Sequence, residues 1–195
     1  SSELLANILA VDGAGSGLDA DLLDGITSTG FALKTHNHAM PHGTFYSSVS
    51  QYIASTGASQ VIALEKNAGV ENMTHNTSSA SNSKIYPNSS GTFEFIFSGI
   101  ADTTSVDKHL NVWLRKSGVD VADSNTIVQM PDLNIEMTVA VAWIEDLTTA
   151  QYVEFATWGD STAVRWLATA SSSSPVRPAC PSVIVTAKQI GANTA

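Results

Sequence analysis

Between Thr92 and Ser98 every second side chain is a phenylalanine. A strand points successive side chains to opposite faces, so Phe93, Phe95 and Phe97 must share one face while Glu94 and Ile96 share the other. His109–Lys116 behaves alike, with Leu110, Val112 and Leu114 opposing Asn111, Trp113 and Arg115. From Thr44 onward such apolar and β-branched runs alternate with Ser/Asn/Gly/Asp clusters at fairly even spacing, the signature of an all-β sandwich or barrel. The pattern predicts strands at Phe45–Ala54, Gln60–Lys66, Gly91–Gly99, His109–Ser117, Asn125–Gln129, Asn134–Glu145, Gln151–Trp158 and Pro181–Ile190, with a short ninth near Lys84–Tyr86. Both faces of several strands carry large apolar groups. A single sandwich needs only one such face, so the second is available to a subunit interface.

Punctuation supports this division. Gly118 after Arg115-Lys116-Ser117 marks a tight turn, and Asp146–Ala150 marks another. Thr169–Ser174, followed by Pro175 and Pro178, is a long polar loop. It is no linker, because the strand beginning at Pro181 returns to the core.

The first 43 residues have no core of their own. Val11–Gly25 (VDGAGSGLDADLLDG) holds four glycines and four aspartates in fifteen residues, a composition for turns and irregular backbone. Leu18, Leu22 and Leu23 are its large apolar side chains after Val11, and one chain offers nothing to bury them against. Three copies side by side bury them along a common axis and so meet the cost of ordering. Asp12, Ser16, Asp19, Asp21 and Asp24 invite a calcium reading, but the twelfth position from Asp12 is Leu23 where an EF-hand needs Glu. The glycines lack the spacing of a phosphate-binding loop.

In Ala32–Gly43 (ALKTHNHAMPHG), His36 and His38 alternate across Asn37. On extended backbone both imidazoles face one way. One chain supplies two ligands; three parallel chains supply six, enough to close an octahedral site on a transition metal such as iron or nickel, with zinc a further candidate. Pro41 and Gly43 follow closely and put that site at the very end of this first segment.

Charge narrows the partners. Nine Lys+Arg against eighteen Asp+Glu give a net charge of −9, with no basic stripe, which argues against nucleic acid. Charged residues make up only 14 % of the chain, below the usual quarter; Ser, Thr, Asn and Ala fill the gap, as in proteins that work outside cells and touch sugars or other surfaces. Cys180 is the single cysteine, so no intrachain disulfide forms. No apolar run reaches the length of a membrane span. The chain starts at Ser1 rather than Met and reads as a piece of something longer, so the absence of a signal peptide says nothing about export.

Catalysis is not expected. No G-x-S-x-G elbow occurs. The acid pairs Asp102/Asp107 and Glu145/Asp146 lie in or beside predicted turns, where exposed acids are ordinary. His75 and His109 are isolated, and nothing near Cys180 in sequence would activate its thiol.

The segment VDGAGSGLDADLLDG, followed by a short spacer and Phe31, resembles a repeat of bacteriophage tail fibres and related virion appendages; Asp19–Gly25 (DADLLDG) is its most specific part. That resemblance implies an intertwined trimeric shaft, with Leu18, Leu22 and Leu23 at its core. His36-Asn37-His38 is similar to the H-x-H motif that holds an axial metal ion in some trimeric shafts, which implies one metal per trimer on His36 and His38.

Residues 44–195 resemble the C1q/TNF-like jelly roll. Gly91-Thr92-Phe93-Glu94-Phe95 matches the G-x-Y/F-x-F strand of that family, and Leu110–Val119 (LNVWLRKSGV) its v-x-L-x-k-n-G strand and turn. Leu147–Phe155 (LTTAQYVEF) matches its L-x-x-G-D-x-V-x-L segment except that Ala150 and Gln151 replace Gly-Asp. The family assembles as compact homotrimers. The expected fold is therefore an all-β, trimeric β-sandwich head, residues 44–195, preceded by a short extended trimeric shaft, residues 1–43.

If the stalk and the last strand both lie at the base, alternation puts Gly99–Lys108, Met130–Leu133 and Gly159–Ala179 at the far tip. Asp102, Asp107, Asp160, Arg165, Trp166 and Arg177 are then the candidate receptor-binding residues. Trp166 beside Arg165 is either a sugar-stacking pair or, in its other reading, a loop anchor packed inward. The expected function is the distal tip of a phage tail fibre, a homotrimeric receptor-binding protein on the virion. It attaches non-covalently to a host-surface glycan or outer-membrane protein and joins upstream fibre or virion proteins. The alternative is a structural head fibre, spike or decoration protein whose globular end is a trimerisation cap. A soluble signalling ligand is disfavoured by the DADLLDG stalk and by the lack of disulfides and collagen-like repeats.

Overall fold

The computed structural model describes residues 22–23, 26–27, 40–78 and 81–192. The chain divides into two units, Ser1–His38 and Ala39–Ala195. In the first, β1 (Leu22–Leu23) and β2 (Ile26–Thr27) pair antiparallel, Leu22 opposite Thr27 and Leu23 opposite Ile26. Leu22 and Leu23 are described as backbone only; Leu18, His36 and His38, and with them the expected shaft core and metal site, lie outside the described residues.

The second unit is all β. Its strands are β3 (His42–Ser47), β4 (Gln51–Tyr52), β5 (Gln60–Val61), β6 (Lys66–Glu71), β7 (Met73–His75), β8 (Ile85–Pro87), β9 (Gly91–Thr103) and β10 (Lys108–Lys116). They continue as β11 (Val119–Asp120), β12 (Thr126–Met130), β13 (Glu136–Leu147), β14 (Val153–Gly159), β15 (Val164–Trp166), β16 (Ser172–Ser173), β17 (Val176–Arg177) and β18 (Val183–Ala192). No helix among the described residues is long and apolar enough to cross a membrane.

Two antiparallel seven-stranded sheets face each other. The first runs β6-β3-β18-β9-β13, with β15 and β4 continuing from the far end of β9. The second runs β12-β10-β14-β8-β7, with β11 extending β10 and β5 pairing with β14. The core between them is what the alternation demanded. Phe93, Phe95 and Phe97 of β9, Leu110, Val112 and Leu114 of β10, and Val183, Val185 and Ala187 of β18 are all buried. Phe155 of β14 completes it, its ring 5.8 Å from that of Phe97 and 6.4 Å from that of Phe95. Burying each such ring removes about 150–250 Å² of apolar surface from water, which is the main driving force for closing the sandwich.

The turns follow local chemistry. β10 and β11 join through Ser117 (φ 51°) and Gly118 (φ 82°), the left-handed pair of a tight hairpin. Gly99 is set by packing instead: a Cβ there would lie 2.7 Å from Trp166 Cε3.

Three sequence expectations change. His42 and Gly43, expected in the shaft, belong to β3, where they pair with Lys188 and Ala187 of β18. The single strand expected over Phe45–Ala54 is broken between β3 and β4, and Gln60–Lys66 is split, because pairing shifts from β14 at Gln60–Val61 to β3 at Lys66. The loop expected over Gly159–Ala179 is interrupted by β15, whose Val164 and Trp166 alternate into the core.

Candidate functional site

Strand direction fixes two ends. β3 enters with His42 opposite Lys188, and β18 finishes opposite Gly91, so the chain enters the head at the end where β9 begins. Three loops meet at the other end and are stitched by backbone bonds: Thr104 N donates to Ala163 O at 3.2 Å, Asp107 N to Pro131 O at 3.3 Å and Asn134 N to Thr103 O at 2.8 Å.

At this distal end the predicted residues separate into two groups. Asp107 and Asp160 are exposed. Asp107 accepts from Gln129 Nε2 at 2.8 Å. Asp160 accepts from the backbone N–H of His109 at 3.0 Å and from its ring Nδ1 at 2.9 Å. Partial burial would raise the Asp160 pKa, but the two bonds from His109 and the nearby positive charge outweigh it and hold the carboxyl below its ordinary value.

Asp102, Arg165 and Trp166 instead belong to the scaffold. Asp102 is buried on β9 and accepts from Arg165 Nε at 2.6 Å. The Arg165 guanidinium also donates to the Tyr52 hydroxyl and lies 5.2 Å from that ring's centroid. Trp166 is fully buried, its ring 5.1 Å from Phe97 in an edge-on packing, its Nε1 donating to Thr157 Oγ1 at 3.1 Å. It therefore offers no ring face to a sugar; it is the loop anchor. Arg177 is exposed on the β16–β17 hairpin, in an arm that leaves the sheet where Leu167 N bonds to Ile100 O and Val183 faces Gly99.

The outward face of the second sheet holds residues that sequence reasoning passed over. Asn111 of β10 lies directly opposite Trp158 of β14 on one side and Ile127 of β12 on the other. Trp113 follows two residues along on the same face. Asn111, Trp113 and Trp158, with Asp120, Asp123 and Asn125, line an open cavity of about 370 Å³. Trp113 Nε1 donates to Asp120 Oδ1 at 2.7 Å, and Arg115 Nε donates to the same oxygen. Burial counts little there, and these two donors hold the Asp120 carboxyl below its ordinary pKa. Trp158 Nε1 donates to Thr56 O at 2.8 Å, and Asn125 Nδ2 to Asn111 Oδ1 at 3.1 Å.

The outward face of the first sheet is different again. Across its centre run Ala142, Ile96, Thr186 and Thr44 in register, then Ala140, Ser98, Ile184 and Tyr46. Ile96 is 41 % exposed and Ile144 61 %. The next row carries charge beside Ile144: Glu94 lies opposite it, and Lys188 Nζ pairs with Glu94 Oε2 at 2.8 Å.

Among the described residues no group of three or more His, Cys, Asp or Glu could hold a metal ion. No family model matches the chain, and no curated protein matches it. The globular domain of zebrafish complement 1qA protein is similar in structure, with a TM-score of 0.51 at 9 % identity over 78 % of this chain and 99 % of that one. At that identity the likeness speaks for the fold alone: the head is an all-β jelly roll of the C1q globular type.

Proposed function

We propose that this chain is the distal part of a phage tail fibre, and that its C1q-like head works as a homotrimer attaching the virion to a host-cell surface by non-covalent recognition. The observation that carries the reading is the uncovered face of the first sheet. Ile96 and Ile144 stand in water on a face whose central rows are built of Ala, Ser, Thr and Ile, with one ion pair, Glu94–Lys188, in the row of Ile144. An exposed apolar patch of this kind marks a protein-contact surface, and its one ion pair is already closed within the chain, so a symmetric interface need not supply a partner for it. Three copies about one axis cover it. They leave free both the stitched distal loops and the second sheet, on the other side of the sandwich. The phage assignment is supported by the DADLLDG segment, which also supports a trimeric shaft and the upstream fibre or virion proteins as neighbours. Three identical sites per head raise avidity without high single-site affinity.

Native mass spectrometry of the whole chain, together with binding of labelled protein to a panel of bacterial strains, tests this. The expected result is a particle of three 20.5 kDa chains that binds some strains and not others. About one iron, nickel or zinc ion for every three chains, lost in the His36→Ala/His38→Ala variant, would support the axial histidine site. A monomer at micromolar concentration overturns the reading. A trimer that binds no cell favours the trimerisation-cap alternative.

A further inference from the structure

We infer that the groove on the second sheet is a carbohydrate site that takes a neutral pyranose oligosaccharide across Trp113 and Trp158. The argument begins with what the two indoles have left to offer. Each has already committed its N–H inside the protein, Trp113 to Asp120 and Trp158 to the Thr56 carbonyl. Each is partly exposed, and among the described residues neither ring stacks on another aromatic. A pinned indole costs little to order when a ligand arrives, and its remaining asset is an apolar π-face.

Between and beside the rings stand groups that fit hydroxyls. Asn125 donates to the side-chain oxygen of Asn111. That leaves the Asn111 amide N–H groups as donors and the Asn125 carbonyl oxygen as an acceptor. The carboxylates of Asp120 and Asp123 add acceptors at the other side of the groove. A pyranose matches this set: its C–H faces are apolar and its rim carries hydroxyls that both donate and accept. A cavity of about 370 Å³ is at the small end of ligand sites, which run to roughly 1,000 Å³, so it holds one or two rings of a chain that continues across the surface.

Charge selects among sugars. The groove carries two carboxylates; its neighbouring cation, Arg115, is already tied to Asp120, and the whole chain is at −9. An anionic saccharide meets like charge on approach, so the ligand is neutral. The site lies on the outward face opposite the apolar one and stays open when the latter is covered. It depends on the attachment reading for the source of its ligand, a glycan of the host surface, and on the groove's own geometry for everything else.

The test is titration of the whole chain with maltohexaose, chitotetraose and a linear mannopentaose, with sialyllactose as the anionic comparison. Saturation-transfer NMR and calorimetry give the readout. At least one neutral sugar is expected to bind with a Kd in the millimolar range or tighter. Trp113→Ala and Trp158→Ala should each weaken it at least tenfold while the mass holds and the chain stays folded. Asn125→Trp, at an exposed position, keeps the proposal falsifiable if the alanine variants fail to fold: a large side chain there fills the groove and should abolish binding. No signal from any neutral sugar, wild-type affinity in the Asn125→Trp variant, or a preference for sialyllactose overturns the inference. Cell binding separates the two readings. Cell binding that survives in variants that have lost the sugar overturns the groove as the recognition site and leaves attachment standing. Sugar binding by a head that binds no cell keeps the groove and overturns attachment.

Discussion

The two outward faces of the sandwich are made from the same kind of strand and end up with opposite characters. On the first sheet the outward positions midway along β9, β13 and β18 are Ile, Ala, Ser and Thr, with side chains short enough to let another backbone approach, and the charged ones, Asp102 and Glu136 towards one end and Glu94, Asp146 and Lys188 towards the other, flank them. On the second, the outward positions of β10, β12 and β14 include two tryptophans, asparagine, glutamine and arginine, and their polar atoms are tied to Asp120, Asn125, Asp107 and the Thr56 carbonyl beside them. A face of small and aliphatic groups gains by being covered with a matching protein surface, because it has few polar groups to desolvate. A face with fixed rings and ready donors gains from a ligand that brings both C–H surface and hydroxyls. Alternation makes this division available: every strand has one side committed to the core, and the other is free to differ between sheets.

The comparison holds only if the core between the faces stands independently, and the largest expected effects are there. Trp166→Ala removes a fully buried indole and its bond to Thr157, and should cost about 3–5 kcal/mol, read as a fall in melting temperature that degrades both faces together. Arg165→Ala leaves the Asp102 carboxylate buried without its partner, a loss of about 3–5 kcal/mol. The double change Asp102→Leu/Arg165→Met should recover most of it. A recognition role for this pair would instead show as lost cell binding at unchanged stability.

The next effect separates the faces directly. Ile96 and Ile127 are exposed isoleucines on opposite outward faces, 41 % and 62 % exposed in one chain. Ile96→Glu places three carboxylates in the covered interface of a trimer, and light scattering should report monomers at micromolar concentration, since an unpaired buried charge costs several kcal/mol. Ile127→Glu should leave the mass unchanged. Equal behaviour of the two variants would erase the distinction drawn between the sheets.

The residues show why part of this was legible and part was not. Phe93, Phe95 and Phe97 announced their strand because alternation needs no knowledge of neighbours. The same logic put Asn111 and Trp113 on one side of β10. It could not put Trp158 beside them, because that depends on the register of β10 against β14, and a pattern of period two constrains register only to even steps. The polar surroundings of Trp166 leave a tip position and an inward anchor both open, and the anchor holds; the signal that favours it is Val164-x-Trp166, a short alternation typical of a strand. Asp102 was legible as an acid near a loop, but its burial depends on Arg165, far along the chain, and no local pattern connects them.

The smallest effect probes a group that belongs to neither face. His75, on β7, reaches between the sheets: its ring centroid lies 4.9 Å from that of Phe45. Its Nε2–H donates to Asn82 O at 3.1 Å, while Nδ1 accepts from Asn67 Nδ2 at 3.3 Å. Burial lowers its pKa from the ordinary 6.5, and the bond to Asn82 offsets this only in part. Protonation would also turn Nδ1 into a donor facing the Asn67 amide donor. The unfolded chain therefore takes up this proton before the folded one does, so stability is full above the unfolded pKa and falls as pH drops through 6.5 towards the lower folded value. Asp160, whose pKa is also lowered, yields its contribution only in more acid solution, as pH falls below its ordinary 3.8. Melting temperature measured from pH 8 to pH 5 should decline by about a few degrees, and His75→Gln should flatten that decline. Sugar binding in the groove, which contains no histidine, should stay level over the same range. If sugar affinity and melting temperature fell together, the groove would be coupled to the space between the sheets, and its independence from the core would be lost.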